Sequence, residues 1–180
     1  MAVTSLGSTL AVKMLSAQRI DDTAIGLYSH RLGDQWLVGG ASNTGGAVLA
    51  QFFDSDRIAA LSAEIDPSLP TGLDYYPLPR CGERFPINDP TLAPRMEPRP
   101  PEDARFLQAL LEGIAAIEAR CYAEIAARGA GTAARILTAG GGAKNTTWSQ
   151  IRAAHLGRVP EVAKNSEAAI GSAFVALMLT

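Results

Sequence analysis

Cysteine is almost missing from this chain: there are two in 180 residues, Cys81 and Cys121. Two isolated thiols make neither a disulfide framework nor a zinc-ligand pattern, and they fit a reducing compartment. Histidine is equally scarce, with His30 beside a turn and His155 at helical spacing, and neither is assigned a metal. No sign of charge dominates, since 16 Lys and Arg face 18 Asp and Glu for a net −2. That balance excludes the electrostatic footprint of nucleic-acid or anionic-membrane binding. No apolar run approaches the roughly 18–20 residues that span a bilayer. The start lacks the basic n-region of a secretory signal. A soluble cytoplasmic protein is the expectation.

What is present is core-forming. With 47% hydrophobic and 19% charged residues, the chain suits one packed domain rather than a disordered segment. Ala2–Ser5 and Thr9–Ser16 read as extended runs joined by Leu6-Gly7-Ser8, a β-hairpin. Its turn crowds Ser5, Gly7, Ser8 and Thr9, which suits either an ordinary tight turn or a phosphate cradle. A second hairpin, Leu27–Leu32 with Gln35–Val38, turns at Gly33-Asp34, and Gly39-Gly40 is expected to close its strand. Ser42-Asn43-Thr44 then offers an N-cap for a helix from Gly45 to about Phe53. A further helical piece spans Arg57–Ile65. The four glycines Gly39, Gly40, Gly45 and Gly46 could let another backbone or a ligand approach closely, and close helix–sheet packing is the favoured reading of them.

Ten of the eleven prolines fall in residues 67–101, where regular helix is excluded. Tyr75, Tyr76, Phe85 and Ile87 make this stretch too apolar for a linker, so a long loop pinned to a surface is expected. From Glu102 to Arg128 apolar residues recur at three- and four-residue steps, the strongest helix of the chain, with Gly129 as its stop. Gly113 in its middle costs about 1 kcal/mol against Ala, so a neighbouring helix or strand is expected to need the space.

Ile136 to Arg152 reads as a strand, three glycines (Gly140, Gly141, Gly142) and a helix carrying Trp148, Ile151 and His155. Glycines allow close backbone approach to a ligand, and a helix N-terminus favours phosphate. An ordinary glycine turn of an α/β protein reads the same way. The spacing is neither that of the P-loop nor G-x-G-x-x-G. A nicotinamide site therefore lacks its motif, and the nearest downstream acid, Glu161, falls in the short strand Val159–Ala163. Lys144 is either a phosphate contact or a solvated charge, and Trp148 either stacks on a base or packs in the core. A closing helix from Ser166 to about Leu179 carries Glu167 in its first turn. The whole order predicts a mixed sheet, antiparallel in its first half and α/β in its second.

Five strings in this order resemble the C-terminal domain of the FGGY carbohydrate kinases, within the actin–hexokinase superfamily. They are Ser5-Leu6-Gly7-Ser8-Thr9, Gly82-Glu83-Arg84-Phe85-Pro86, Leu111-Glu112-Gly113-Ile114, Gly140-Gly141-Gly142-Ala143-Lys144-Asn145 and Glu167-Ala168-Ala169-Ile170-Gly171-Ser172-Ala173. The resemblance covers essentially residues 1–180 and implies a ribonuclease H-like α/β domain with a mixed sheet flanked by helices. It implies ATP or ADP as ligand. Gly140, Gly141 and Gly142 would lie along the adenosine and α-phosphate, with Lys144 able to meet a phosphate and Asn145 and Trp148 near the base. Ser5, Gly7, Ser8 and Thr9 would face the β- and γ-phosphates. The G-E-R-x-P string implies a pentulose kinase, with ribulose or xylulose as the sugar.

The family's catalytic Asp precedes the hairpin, and only Met1–Thr4 stand before Ser5 here. Asp21 and Asp22 follow it on the wrong side. The first phosphate loop, the Mg²⁺-associated acid and most sugar contacts belong to an N-terminal domain. The expectation is a domain cut from a longer chain, binding nucleotide weakly and inactive alone. The alternatives are a non-catalytic regulatory or interaction module, self-associating through its exposed interdomain face, and one half of a two-chain kinase.

Overall fold

The computed structural model describes residues 1–163, and the closing helix expected over Ser166–Leu179, with Glu167, lies outside them. Six strands form one mixed sheet: β1 (Ala2–Leu6), β2 (Leu10–Ser16), β3 (Tyr28–Leu32), β4 (Gln35–Ser42), β5 (Ile136–Ala139) and β6 (Glu161–Val162). Their spatial order is β3-β4-β2-β1-β5-β6. The β1–β2, β2–β4 and β3–β4 pairs are antiparallel, whereas β1–β5 and β5–β6 are parallel. The predicted change of pairing direction at the middle of the chain is therefore observed. Hairpins give the antiparallel β1–β2 and β3–β4 pairs, and a helical crossover gives the parallel β5–β6 pair.

Alternation along β1 and β2 buries Ala2, Thr4 and Leu6 and Leu10, Val12, Met14 and Ser16 on one face. Helix α3 (Asp103–Ile125) packs on that face against β2 and β4, with α2 (Ser55–Glu64) and α4 (Thr146–Leu156) beside it. Phe106, Leu107, Leu110, Leu111, Ile114, Cys121 and Ile125 are all buried. Burial pushes the Cys121 thiol pKa well up, which keeps it protonated and unreactive. α3 ends three residues before the predicted boundary at Arg128 and gives way to a π-turn over Ala126–Ala130 where Gly129 takes φ 93°.

Several local expectations are corrected by long-range partners. β4 does not close at Gly39-Gly40 but continues to Ser42, because β2 pairs with it as far as Leu10↔Ser42. A Cβ on Gly40 would lie 2.6 Å from the Phe85 ring, so a loop side chain, not a helix, needs that glycine. Gly113 likewise faces Pro77 and Tyr75 of the proline-rich segment rather than a helix or strand. The helix expected over Gly45–Phe53 is the single turn α1 (Gly46–Leu49), because Asp54 starts α2 by accepting from the Arg57 amide at 2.7 Å. The strand expected over Val159–Ala163 shrinks to β6, Glu161–Val162.

The residues 67–101 run over the helical layer and are pinned to it by Glu83. This carboxylate is 3% exposed and accepts from the Ser42 hydroxyl (2.6 Å), the Asn43 amide (2.7 Å) and the Tyr76 hydroxyl (2.9 Å). Thr44 donates to the Pro77 carbonyl at 2.6 Å. These bonds explain why Ser42-Asn43-Thr44 is no helix cap: its polar groups serve the loop. Glu83→Ala strands these three donors and the Arg84 amide, and buried unsatisfied groups cost about 1–3 kcal/mol each. Urea unfolding is expected to show a loss of about 3 kcal/mol or more, and Glu83→Gln a smaller one.

Candidate nucleotide site

The turns after β1 and β5 stand side by side because their strands are parallel neighbours. Thr4 pairs with Thr138 and Ser5 with Ala139, so both chains leave the sheet at the same level. A Cβ on Gly140, whose φ is 87°, would lie 2.6 Å from the Leu6 carbonyl oxygen. That glycine is needed for the turns to touch. Gly142 is needed for another reason: its Cβ would meet Trp148 at 2.6 Å and the Leu6 side chain at 2.8 Å. Only Gly141 of the three has nothing within 4 Å of where a Cβ would stand. The open space beside it is a cavity.

This cavity has a volume of about 780 Å³ and lies between the two turns, α1, α2 and the start of α4. Gly7, Ser8, Gly141, Gly142, Lys144, Asn145 and Trp148 line it. Ser5, Thr9 and Gly140 do not. Ser5 points to the sheet face opposite Thr4 and Leu6, Thr9 lies beyond the hairpin tip, and Gly140 is spent on the contact between the turns. From α1 and α2 come Gly46, Ala47, Ser55, Ile58, Ala59 and Ser62, which the sequence reading did not assign. The signal was present. Ser55, Ala59, Ser62 and Ala63 recur at three- and four-residue steps and leave a helix face of small side chains.

The N-terminus of α1 is occupied by the hairpin. Its Gly46 and Ala47 amides donate to the Gly7 and Ser8 carbonyls at 2.9 and 3.0 Å. In a trans peptide the N–H points opposite to the C=O. The Ser8 and Thr9 amides are therefore turned away from α1, and both residues are exposed. The glycine stretch does not run directly into a helix: Gly141–Lys144 form a 3₁₀ turn and Asn145 caps α4. The Asn145 side chain accepts from the Trp148 amide at 2.9 Å and donates to the Ser62 hydroxyl at 2.8 Å. Its polar atoms thus join α4 to α2 across the cavity floor. Trp148 is 3% exposed and belongs to the hydrophobic core while also lining the cavity.

Among the described residues, Lys144 is the one charged side chain lining the cavity, and no carboxylate lines it. No cluster of three or more His, Cys, Asp or Glu that could hold a metal occurs among the described residues. Asp21 and Asp22 follow β2 at its far end, about 20 Å along the strand from the hairpin turn. There they bind Ser29 and Arg128 instead. A largely apolar chamber lined by hydroxyls and, among the described residues, a single cation suits an anionic ligand with a flat apolar body.

The sheet order and this chamber define the class: an α/β domain of actin/hexokinase type, the arrangement found in sugar-kinase C-terminal domains. A xyloylose kinase from Brucella ovis matches 98% of the chain with a TM-score of 0.80 at 22% identity. A gluconate kinase from Lactobacillus acidophilus matches 99% at 0.79 and 20% identity, and a Plasmodium falciparum glycerol kinase with ADP 97% at 0.76 and 17%. The chain spans only 38%, 39% and 37% of those structures. Residues 2–180 match the family model of the FGGY carbohydrate kinases, C-terminal domain, and the chain belongs to that family.

The three glycines separate by experiment. Gly142→Ala forces a contact with Trp148 and Leu6, and overpacking of this kind costs about 1–3 kcal/mol. Gly141→Ala meets nothing and is expected to stay within about 0.5 kcal/mol of the parent. Thermal and urea denaturation of both variants check this ordering.

Proposed function

We propose that this chain is the nucleotide-binding domain of an ATP-dependent carbohydrate kinase, with ATP or ADP seated in the chamber between the hairpin and glycine turns. The observation that carries the reading is the union of Gly7, Ser8, Gly141, Gly142 and Lys144 around one cavity of nucleotide size. The base would lie towards α2 and α4, where Ile58 and Ala59 give apolar walls. The phosphates would lie towards the hairpin turn at Gly7 and Ser8 and towards Lys144. Phosphoryl transfer is catalysed mainly by positioning and charge stabilisation. These residues would supply the position, holding the polyphosphate against one wall with its far end open to the acceptor.

Among the described residues the chamber holds no general base for a sugar hydroxyl and no acid to carry Mg²⁺, and both are proposed to come from an N-terminal domain that also binds the sugar. The 180-residue chain by itself is accordingly proposed to bind nucleotide and not to phosphorylate sugar. A ketopentose such as ribulose or xylulose is the proposed acceptor of the whole enzyme, on the strength of the Gly82–Pro86 string. No helix among the described residues is long and apolar enough to cross a membrane, and a cytoplasmic location is proposed. A second reading, an interaction module that self-associates, draws on Val162 of β6, the edge strand among the described residues, and on Val159 just before it, which are 63% and 78% exposed. Light scattering that finds a monomer at all concentrations would remove it.

Isothermal titration of the chain with ADP is expected to give a Kd of about 0.1–1 mM, or roughly −4 to −5.5 kcal/mol. Lys144→Met is expected to weaken it about three- to tenfold, more at low salt than at high salt. A coupled assay with ribulose or xylulose should show no sugar-dependent ADP production. Turnover in that assay would overturn the proposed division of labour, and absence of ADP binding would overturn the site.

A further inference from the structure

Behind the chamber, where neither turn reaches, lies an ion pair that the nucleotide reading does not use. Glu118 of α3 and Arg152 of α4 are 0% and 1% exposed. Arg152 donates to Glu118 through Nε and Nη2, both at 2.7 Å. From this pair two hydrogen bonds reach the sheet. Thr4 donates to Glu118 Oε1 at 2.5 Å, and Arg152 Nη1 donates to the Thr138 hydroxyl at 3.0 Å. Tyr122 closes the group, its hydroxyl 2.8 Å from that of Thr4, and burial raises its phenol pKa far enough to keep it neutral.

The two threonines are not arbitrary points on the sheet. They are direct partners in the parallel pairing of β1 and β5. Thr4 stands two residues before the end of β1 at Leu6, and Thr138 one residue before the end of β5 at Ala139. The chain Thr4–Glu118–Arg152–Thr138 thus closes a ring with the strand pairing. It fixes the roots of both turns to each other and to α4, whose first residues line the chamber. An apolar pair would fill the same space but would carry no such geometry, since dispersion contacts are non-directional, whereas a bidentate Arg–carboxylate pair sets both distance and plane.

We infer that Glu118 and Arg152 are positioning residues for the nucleotide chamber: buried out of ligand reach, they set the spacing and orientation of the hairpin turn against the glycine turn. For its ligand-binding arm the inference rests on the nucleotide reading above; for the order of the two turns it does not. Removing one partner leaves a lone buried charge and tests only stability. The informative variant removes both, Glu118→Met with Arg152→Met, because replacing a whole buried pair by apolar side chains is compatible with a folded protein.

The experiment is residue-resolved amide hydrogen exchange, together with ADP titration, on the parent chain and the double variant. Exchange at Gly7, Gly46, Ala143 and Asn145, the bonded amides of the two turns and of α1 against the hairpin, is expected to speed up at least tenfold relative to Val12 and Val38 in the central strands. The ADP Kd is expected to rise at least tenfold. If the double variant does not fold, Thr4→Val with Thr138→Val cuts both links to the sheet while keeping the ion pair, and the same selective change is expected. Turn amides within twofold of the parent, in a folded variant of either kind, would overturn the inference whatever the ADP result. A parent chain that fails to bind ADP would sink the nucleotide reading, while the exchange data would still decide whether the pair orders the turns.

Discussion

The pairing of Glu118 with Arg152 is the interaction on which the described architecture depends most. Two charges without solvent cost far more than their attraction returns unless hydrogen bonds satisfy what remains of each. Here both carboxylate oxygens accept from the guanidinium, and the two threonines take up further valences. The condition for a tolerable buried pair is met only when β1, β5, α3 and α4 are all in place. Each of these elements supplies one member, so the pair resists any slip of one against another. A one-residue slip of β5 would turn Thr138 to the opposite face and leave Arg152 short of an acceptor.

Glu83 does the same work for the other half of the molecule, with no cation paired to it among the described residues. It is surrounded by neutral donors from β4, from the residues after it and from Tyr76. Its effect is to fasten a stretch unable to form regular helix onto the layer that faces the hairpin. Phe85 then seats over Gly40, and Pro77 and Tyr75 over Gly113. The loop is therefore part of the core, and the long α3 carries its glycine for the loop's sake. The hairpin tip in turn is fixed by α1, whose first amides take the turn carbonyls. Through these contacts the proline-rich segment bears on the chamber without lining it.

Much of this was legible from local pattern. The two hairpins, the long helix with its stop at Gly129, the glycine turn and the reversal of pairing direction all follow from signals within a few residues. What misled was the local reading of residues that have remote duties. Ser42, Asn43 and Thr44 form a plausible cap, yet they answer to Glu83. Gly39-Gly40 look like a strand end, yet the strand continues because β2 lies alongside. Glu118 could have been noticed, since it falls on the apolar stripe of α3 between Ile114 and Cys121, and Arg152 follows Trp148 by four residues on α4. A charged residue at a buried position of a helix asks for a partner, but it does not say which one.

The sequence by itself determined the order and kind of elements, the absence of a metal-ligand or P-loop pattern, and the family strings. Those depend on turn chemistry, periodicity and residue type, which act over a handful of neighbours. Only the tertiary structure decided that Gly140 and Gly142 serve packing while Gly141 borders open space, that Ser5 and Thr9 lie outside the chamber lining, and that α2 helps to build it. It also decided the partnership of Thr4 with Glu118, 114 residues apart, and of Glu118 with Arg152, 34 apart. Such contacts are set by which strand pairs with which and by where the crossover helix lands. No local pattern encodes that outcome, because each member is equally at home beside several other partners until the sheet is assembled.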